Sequence, residues 1–86
     1  DHAVDESVED QIVRRATAVE GVRGVAALRT RTIGAQYAVD LRVRVSPELS
    51  MRECSKLCEH VRKSLMGGIE RLGLVTVLAT GEGEAA

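Results

Sequence analysis

The sequence predicts an α+β domain with the element order α-β-β-α-β, in which two helices cover one face of a three-stranded sheet. Two segments repeat apolar residues at helical spacing, one segment alternates strictly between apolar and polar residues, and glycine or proline separates the segments. The 86 residues are 44% apolar and 29% charged, which suits one small domain. Tyr37 is the sole aromatic residue. The core must therefore be aliphatic, and small aliphatic cores often gain stability by oligomerisation.

The first helix is predicted from residue 7 to 19, after a linker of residues 1–6. Ser7 is a typical N-cap, and the acidic residues that follow it favour the positive end of the helix dipole. Gly21 and Gly24 end the helix. Its apolar face consists of Val8, Ile12, Val13, Ala16 and Val19.

Two strands follow, predicted as Val25–Ile33 and Tyr37–Val45 around a hairpin at Gly34. The second strand alternates strictly, and successive side chains of a strand point to opposite faces. Its aliphatic residues therefore face the core, and Asp40 faces the other way together with two arginines, Arg42 and Arg44.

Pro47 ends that strand, and the run from Ser50 to Glu53 is a capping box that starts a second helix. The pair Gly67-Gly68 stops the helix, a third strand is predicted over Leu72–Ala79, and residues 81–86, GEGEAA, are expected to be a disordered tail. With both helices on one side, the other sheet face needs water or a partner. The predicted apolar stripe of the second helix is Met51, Cys54, Leu57, Cys58, Val61 and Leu65.

Charge is segregated along the chain. Residues 1–20 contain six acidic residues and two arginines, whereas residues 21–45 contain five arginines and one acid, Asp40. No apolar run approaches the ~20 residues that span a bilayer, and no secretory signal opens the sequence. Cys54 and Cys58 are spaced poorly for a mutual disulfide, so we interpret them as reduced, cytosolic thiols.

Three candidate sites each have an alternative interpretation. Asp40 is either a surface ion-pair partner of Arg29 or Arg31, or a metal ligand that a symmetry mate completes. Cys54 and Cys58 are either small core residues or two ligands of a soft metal, which alone make an incomplete zinc site. The N-terminal cluster is either a solvated helix leader or a source of metal ligands, and it comprises Asp1, His2, Asp5 and Glu6.

Other functions are not expected. No base and orienting group accompany either thiol in a catalytic pattern, and no glycine-rich loop lies between a strand and a helix, so we predict no enzyme. The arginines lack stacking aromatics and a continuous basic stripe, so we predict no nucleic-acid partner.

The segment GVRGVAALRTRTIGAQYAVDLRVRVSPELSMRE, residues 21–53, resembles the cytoplasmic C-terminal domain of cation diffusion facilitator transporters. The resemblance rests on a G-V-x-x-V entry, an L-R-T-R strand, a glycine hairpin, a Y-x-V-D-L strand and a proline before a capped helix. It extends over about residues 8–80 and is strongest to family members of magnetosome membranes.

This resemblance implies a metallochaperone-like αββαβ fold, half of a ferredoxin-like one, that forms a V-shaped homodimer below a transmembrane exporter. Metal bound in the dimer cleft closes the two arms and favours transport, which requires tighter binding to the closed dimer. The implied partners are the transmembrane domain of the same chain and a paralogous transporter. The implied location is the cytoplasmic side of a membrane, with the magnetosome membrane as a candidate.

The resemblance also assigns residues. Asp40 matches the aspartate at the centre of the cleft, Cys54 matches a histidine ligand, and Arg31 matches a basic residue of a charged interlock at the membrane junction, where Asp1 would lie. The binuclear zinc site is not expected, because the histidine positions and the carboxylate position of the zinc-type members hold Ala26, Arg42, Leu78 and Thr80.

We therefore expect a regulatory, metal-sensing dimerisation domain of a divalent-cation efflux transporter, with Fe²⁺ as the physiological ion and Zn²⁺ or Mn²⁺ as alternatives. The metal residues are Asp40, with weaker contributions from Cys54 and His2. The alternative from another class is a scaffold that dimerises and docks a partner transporter or anionic lipid without a metal role. An independent small-molecule regulator of similar shape is a third class, for which no pocket motif is present.

Overall fold

The computed structural model describes residues 6–81 and has the predicted element order. Strand β2 is central in the sheet order β1-β2-β3; it is antiparallel to β1 and parallel to β3. Helix α2 is the crossover that joins the two parallel strands. The predicted α+β class is confirmed. The elements are α1 (Val8–Thr17), β1 (Gly24–Ile33), β2 (Gln36–Val45), α2 (Met51–Gly68) and β3 (Leu72–Gly81).

The core lies on one side of the sheet, between β2 and the two helices. Ile12 and Ala16 of α1 and Val61 and Leu65 of α2 are fully buried. Four alternate residues of β2 meet them and are at most 2% exposed, namely Val39, Leu41, Val43 and Val45. The predicted division of β2 into a core face and a polar face is therefore confirmed.

Both helices begin at the predicted caps. The Ser7 hydroxyl accepts a hydrogen bond from the backbone N–H of Asp10 at 3.1 Å. At α2 the capping box is complete: the Glu53 N–H donates to Ser50 Oγ at 3.1 Å, and the Ser50 N–H donates to Glu53 Oε1 at 2.8 Å. These bonds satisfy N–H groups that a helix start otherwise leaves without partners. The two hydrogen bonds between Ser50 and Glu53 lower the pKa of the Glu53 carboxyl.

Helix α1 ends at Thr17, two residues before the predicted end. A tight turn follows, in which the Val19 N–H donates to the Ala16 carbonyl at 3.2 Å. The Thr17 hydroxyl donates to the Val13 carbonyl at 2.8 Å. Gly21 then takes φ +100°, which favours glycine. Val19 still reaches the core at 8% exposure, from the turn rather than from the helix.

Two residues predicted on apolar helix faces are exposed, so those assignments are wrong. Met51 is 88% exposed and Val13 is 38% exposed. At α2 the reason is local: Leu49, just before the cap, packs against the core together with Cys54, an arrangement typical of a hydrophobic staple. Leu49 thus takes the place predicted for Met51.

The end of the sheet near the β1–β2 hairpin is fastened by Arg71, which has φ +70° although it is not a glycine. Its Nε donates to the Ala35 carbonyl at 2.8 Å, and its guanidinium lies 5.1 Å from the centroid of the Tyr37 ring. The Tyr37 N–H donates to the Arg71 carbonyl at 2.7 Å. These contacts offset a left-handed conformation that costs an L-residue about 1–2 kcal/mol.

We predict that Arg71→Gly destabilises the chain less than Arg71→Ala does. Both variants lose the side-chain contacts with Ala35 and Tyr37 and keep the backbone hydrogen bond from Tyr37, but only glycine adopts this φ without strain. The free energy of unfolding, measured by urea denaturation, should differ by about 0.5–1 kcal/mol in favour of the glycine variant.

The neighbouring exposed residue Glu70, which lacks a positive φ, supplies the control. There the order should reverse, with Glu70→Ala more stable than Glu70→Gly, because glycine loses more backbone entropy on folding. An alanine variant at position 71 that equals or exceeds the glycine variant would contradict the proposed strain.

Candidate functional site

The sheet surface opposite the helices, which we call the outer face, is centred on Asp40. The register places Asp40 between Arg29 of β1 and Thr76 of β3. In the next row, Arg42 lies between Ala27 and Leu78. Because β2 must turn its aliphatic residues toward the helices, the two-residue period turns Asp40 outward.

A shallow depression of ≈ 460 Å³ covers the middle of the outer face. It is open to solvent and combines one carboxylate, two guanidinium groups and one hydroxyl with an apolar floor. Its lining residues are Ala27, Leu28, Arg29, Asp40, Leu41, Arg42, Thr76 and Leu78.

The Asp40 carboxylate is exposed and makes no ion pair or hydrogen bond with any residue between 6 and 81. The alternative that pairs it with Arg29 or Arg31 is therefore not realised. Arg29 lies directly across from Asp40 in the register, whereas Arg31 lies across from Ala38. An exposed pair of this kind is worth only about 0–1 kcal/mol, too little to hold two mobile side chains together.

The arginines of this face have different roles. Arg44 donates a hydrogen bond of 2.7 Å to the Val25 carbonyl, beside the register shift between Val25 and Ala27. It thereby satisfies a carbonyl at the irregular part of β1. Arg29, Arg31 and Arg42 are exposed and form no ion pair with another residue of the described part of the chain. They give the surroundings of Asp40 a positive field.

One chain supplies only part of a cation site at Asp40. No group of three or more histidine, cysteine, aspartate or glutamate side chains comes together within residues 6–81. The Thr76 hydroxyl is the nearest oxygen donor by register, beside a single carboxylate. Divalent ions that prefer oxygen ligands need several such donors, and a second copy of the outer face would supply a second carboxylate.

The other predicted site residues do not join Asp40. Cys54 lies on α2, in a separate depression of ≈ 320 Å³ against β3. Arg31 is on the outer face, in the row nearer the hairpin. Asp1 and His2 lie outside the described residues. His60 lies in a third depression. The other residues that line this depression are Ser55, Lys56, Glu59 and Lys63.

The outer face also has an apolar part that the sequence analysis missed. Leu74 and Leu78 of β3 are 57% and 53% exposed and flank Thr76. The signal was present: β3 is apolar at nearly every position, although helices cover one face of the sheet. A strand that is apolar on both faces predicts a second covered surface.

Comparison with known proteins identifies relatives of the whole domain. The family model ZT_dimer, described as the cytoplasmic domain of cation efflux proteins, matches residues 4–77. Magnetosome protein MamM of Magnetospirillum gryphiswaldense is 37% identical over 79 residues, which are 92% of this chain and 25% of that protein. MamM of Paramagnetospirillum magneticum is 35% identical over 79 residues, which are again 92% of this chain and 25% of that protein. The chain thus spans about a quarter of these relatives.

Solved structures of the MamM C-terminal domain have the same fold. A histidine-to-alanine variant of that domain superposes with a TM-score of 0.87 at 34% identity, covering 92% of this chain and 99% of that one. A nickel form of a glutamate-to-histidine variant superposes with a TM-score of 0.85 at 35% identity, covering 87% of this chain and 95% of that one. No helix within residues 6–81 is long and apolar enough to cross a bilayer.

Proposed function

Because this chain belongs to the family of cytoplasmic domains of cation efflux proteins, we propose that it is the regulatory, metal-sensing dimerisation domain of a divalent-cation efflux transporter. The observation that carries the proposal is the exposed Asp40 carboxylate, which has no partner within residues 6–81 and lies at the centre of an uncovered sheet face. An exposed carboxylate on a basic surface contributes little to the stability of a single chain. When two chains pair, it supplies half of the ligands of a shared cation site.

In this proposal, two copies face each other across a two-fold axis, so that each contributes one Asp40. The exposed Leu74 and Leu78 support such a pairing, because exposed apolar side chains on one surface favour a partner. Facing carboxylates repel each other when no cation is present. A divalent ion between them removes that repulsion and favours the closed arrangement, which is a shift between two populations of the dimer.

We propose that the ion is ferrous iron and that the parent transporter lies in a magnetosome membrane, on the similarity to MamM. Manganese and zinc remain alternatives, because carboxylate ligands distinguish poorly among such ions. The proposed partners are a second copy, the transmembrane part of the same protein and a paralogous transporter. Arg31 and the region of Asp1 are proposed to meet the transmembrane part. No catalytic activity is proposed.

The alternative is a scaffold that dimerises and docks a partner or anionic lipid without a metal role. The exposed Leu74 and Leu78 favour it, because an apolar strip beside positive charge suits an acidic surface. The positive charge comes from Arg29, Arg31 and Arg42. The two functions differ in one respect: only sensing requires the Asp40 carboxylate.

We predict that Mn²⁺ or Fe²⁺ compacts the purified dimer, as measured by small-angle X-ray scattering under anaerobic conditions, and that Asp40→Asn abolishes this response. The amide keeps the size of the side chain but loses the charge. Metal affinity, measured by isothermal titration calorimetry, should fall at least about tenfold.

Asp10→Asn is the matched control, because Asp10 is an exposed aspartate on α1, on the opposite side of the sheet. It should compact as the unchanged chain does. A dimer whose size does not change on addition of metal would support the scaffold. Equal compaction of the Asp40→Asn and Asp10→Asn variants would refute a sensing role for Asp40.

We also predict that Arg42→Gln tightens metal binding about three- to tenfold at low salt. Arg42 is two residues from Asp40 on the same face, a separation of about 7 Å, and it repels a bound cation. Screening should shrink the difference as ionic strength rises. Arg52→Gln, on α2, should leave the affinity unchanged. Weaker binding by the position-42 variant would mean that Arg42 supports the site rather than opposing it.

A further inference from the structure

Three sulfur side chains lie on one face of α2, away from Asp40. Met51, Cys54 and Cys58 follow the spacing i, i+3, i+7, and at about 100° per residue they fall within an arc of about 60°. All three line the ≈ 320 Å³ depression between α2 and β3.

The core does not use these side chains fully. Met51 is 88% exposed, and Cys54 and Cys58 are half-buried and unbonded to each other. A helix face that serves the core alone would bury Met51, as the fully buried Val61 and Leu65 are buried further along α2. The sulfur atoms therefore have apolar backing and remain accessible from solvent.

The chemistry of this depression differs from that of the outer face. Its lining contains no carboxylate and no imidazole: the remaining residues are Leu49, Ser55, Val77, Leu78 and Ala79. Two thiolates and a thioether are soft ligands, which select copper(I) over ions that prefer oxygen. Zinc normally takes four ligands, and three sulfurs without nitrogen or carboxylate support do not complete its tetrahedron. Copper(I), by contrast, is satisfied by two or three sulfur ligands.

We propose that Met51, Cys54 and Cys58 form a binding site for copper(I), separate from the Asp40 site. Binding joins Cu⁺ to both sulfurs as thiolates and releases two protons, with no change of oxidation state. Met51 supplies the third ligand from the first turn of α2, and the apolar residues of β3 shield the ion from water. Leu78 lines both depressions, so copper would bind next to the outer face without touching Asp40.

The test adds Cu⁺ anaerobically, as its acetonitrile complex, to the 86-residue chain in competition with the chelator bathocuproine disulfonate. We expect one copper(I) per chain. Cys54→Ser and Cys58→Ser should each weaken binding at least about 100-fold, which exceeds the usual cost of losing a supporting residue around a metal. Met51→Leu should weaken copper(I) binding several-fold. Because Met51 is exposed, this substitution should leave the fold intact.

Two controls isolate the site. Met66→Leu changes another exposed methionine of α2, and Asp40→Asn removes the carboxylate of the outer face; both should bind copper(I) as the unchanged chain does. The proposal is overturned if the chelator retains all the copper, if both serine variants bind normally, or if one ion is bound per two chains. Loss of binding in Asp40→Asn would also overturn it, because the two sites would then be one.

Discussion

The structure depends on the two-residue period of β2. Four aliphatic side chains of this central strand must face the helices, because they form the core together with the buried residues of α1 and α2. Because successive side chains of a strand point to opposite faces, the residues between them, Asp40 and Arg42, face outward. A shift of one residue would bury a carboxylate and two guanidinium groups at a cost of several kcal/mol each. The position of the candidate metal residue is therefore fixed by the same requirement that fixes the core.

That constraint explains why much of the fold could be predicted from the sequence. Alternation in β2, helical periodicity in α1 and α2, and the two serine caps are local signals, and each element formed where they indicated. The errors lie where local patterns compete with tertiary packing. Met51 matched the helical stripe, but Leu49 took its place in the core. The exposure of Leu74 and Leu78 depended on which sheet face the helices leave uncovered.

The candidate site was predictable in part. The sequence placed Asp40 on the polar face but left open whether an arginine neutralises it, because long side chains on a strand reach several neighbours. The structure leaves that carboxylate without an ion pair in residues 6–81, so neither Arg29 nor Arg31 neutralises it. The two cysteines were recognised as a pair from their spacing, whereas their grouping with Met51 in one depression required the packing of α2 on β3.

In the proposed dimer, one divalent ion is shared by the Asp40 residues of two chains. Native mass spectrometry of the chain with Mn²⁺ tests it most directly, because the measurement counts ions and chains in the same particle. We expect dimers that carry one Mn²⁺, and we expect that species to be lost in Asp40→Asn. Monomers that each hold their own ion, or dimers that hold Mn²⁺ without the Asp40 carboxylate, would contradict it.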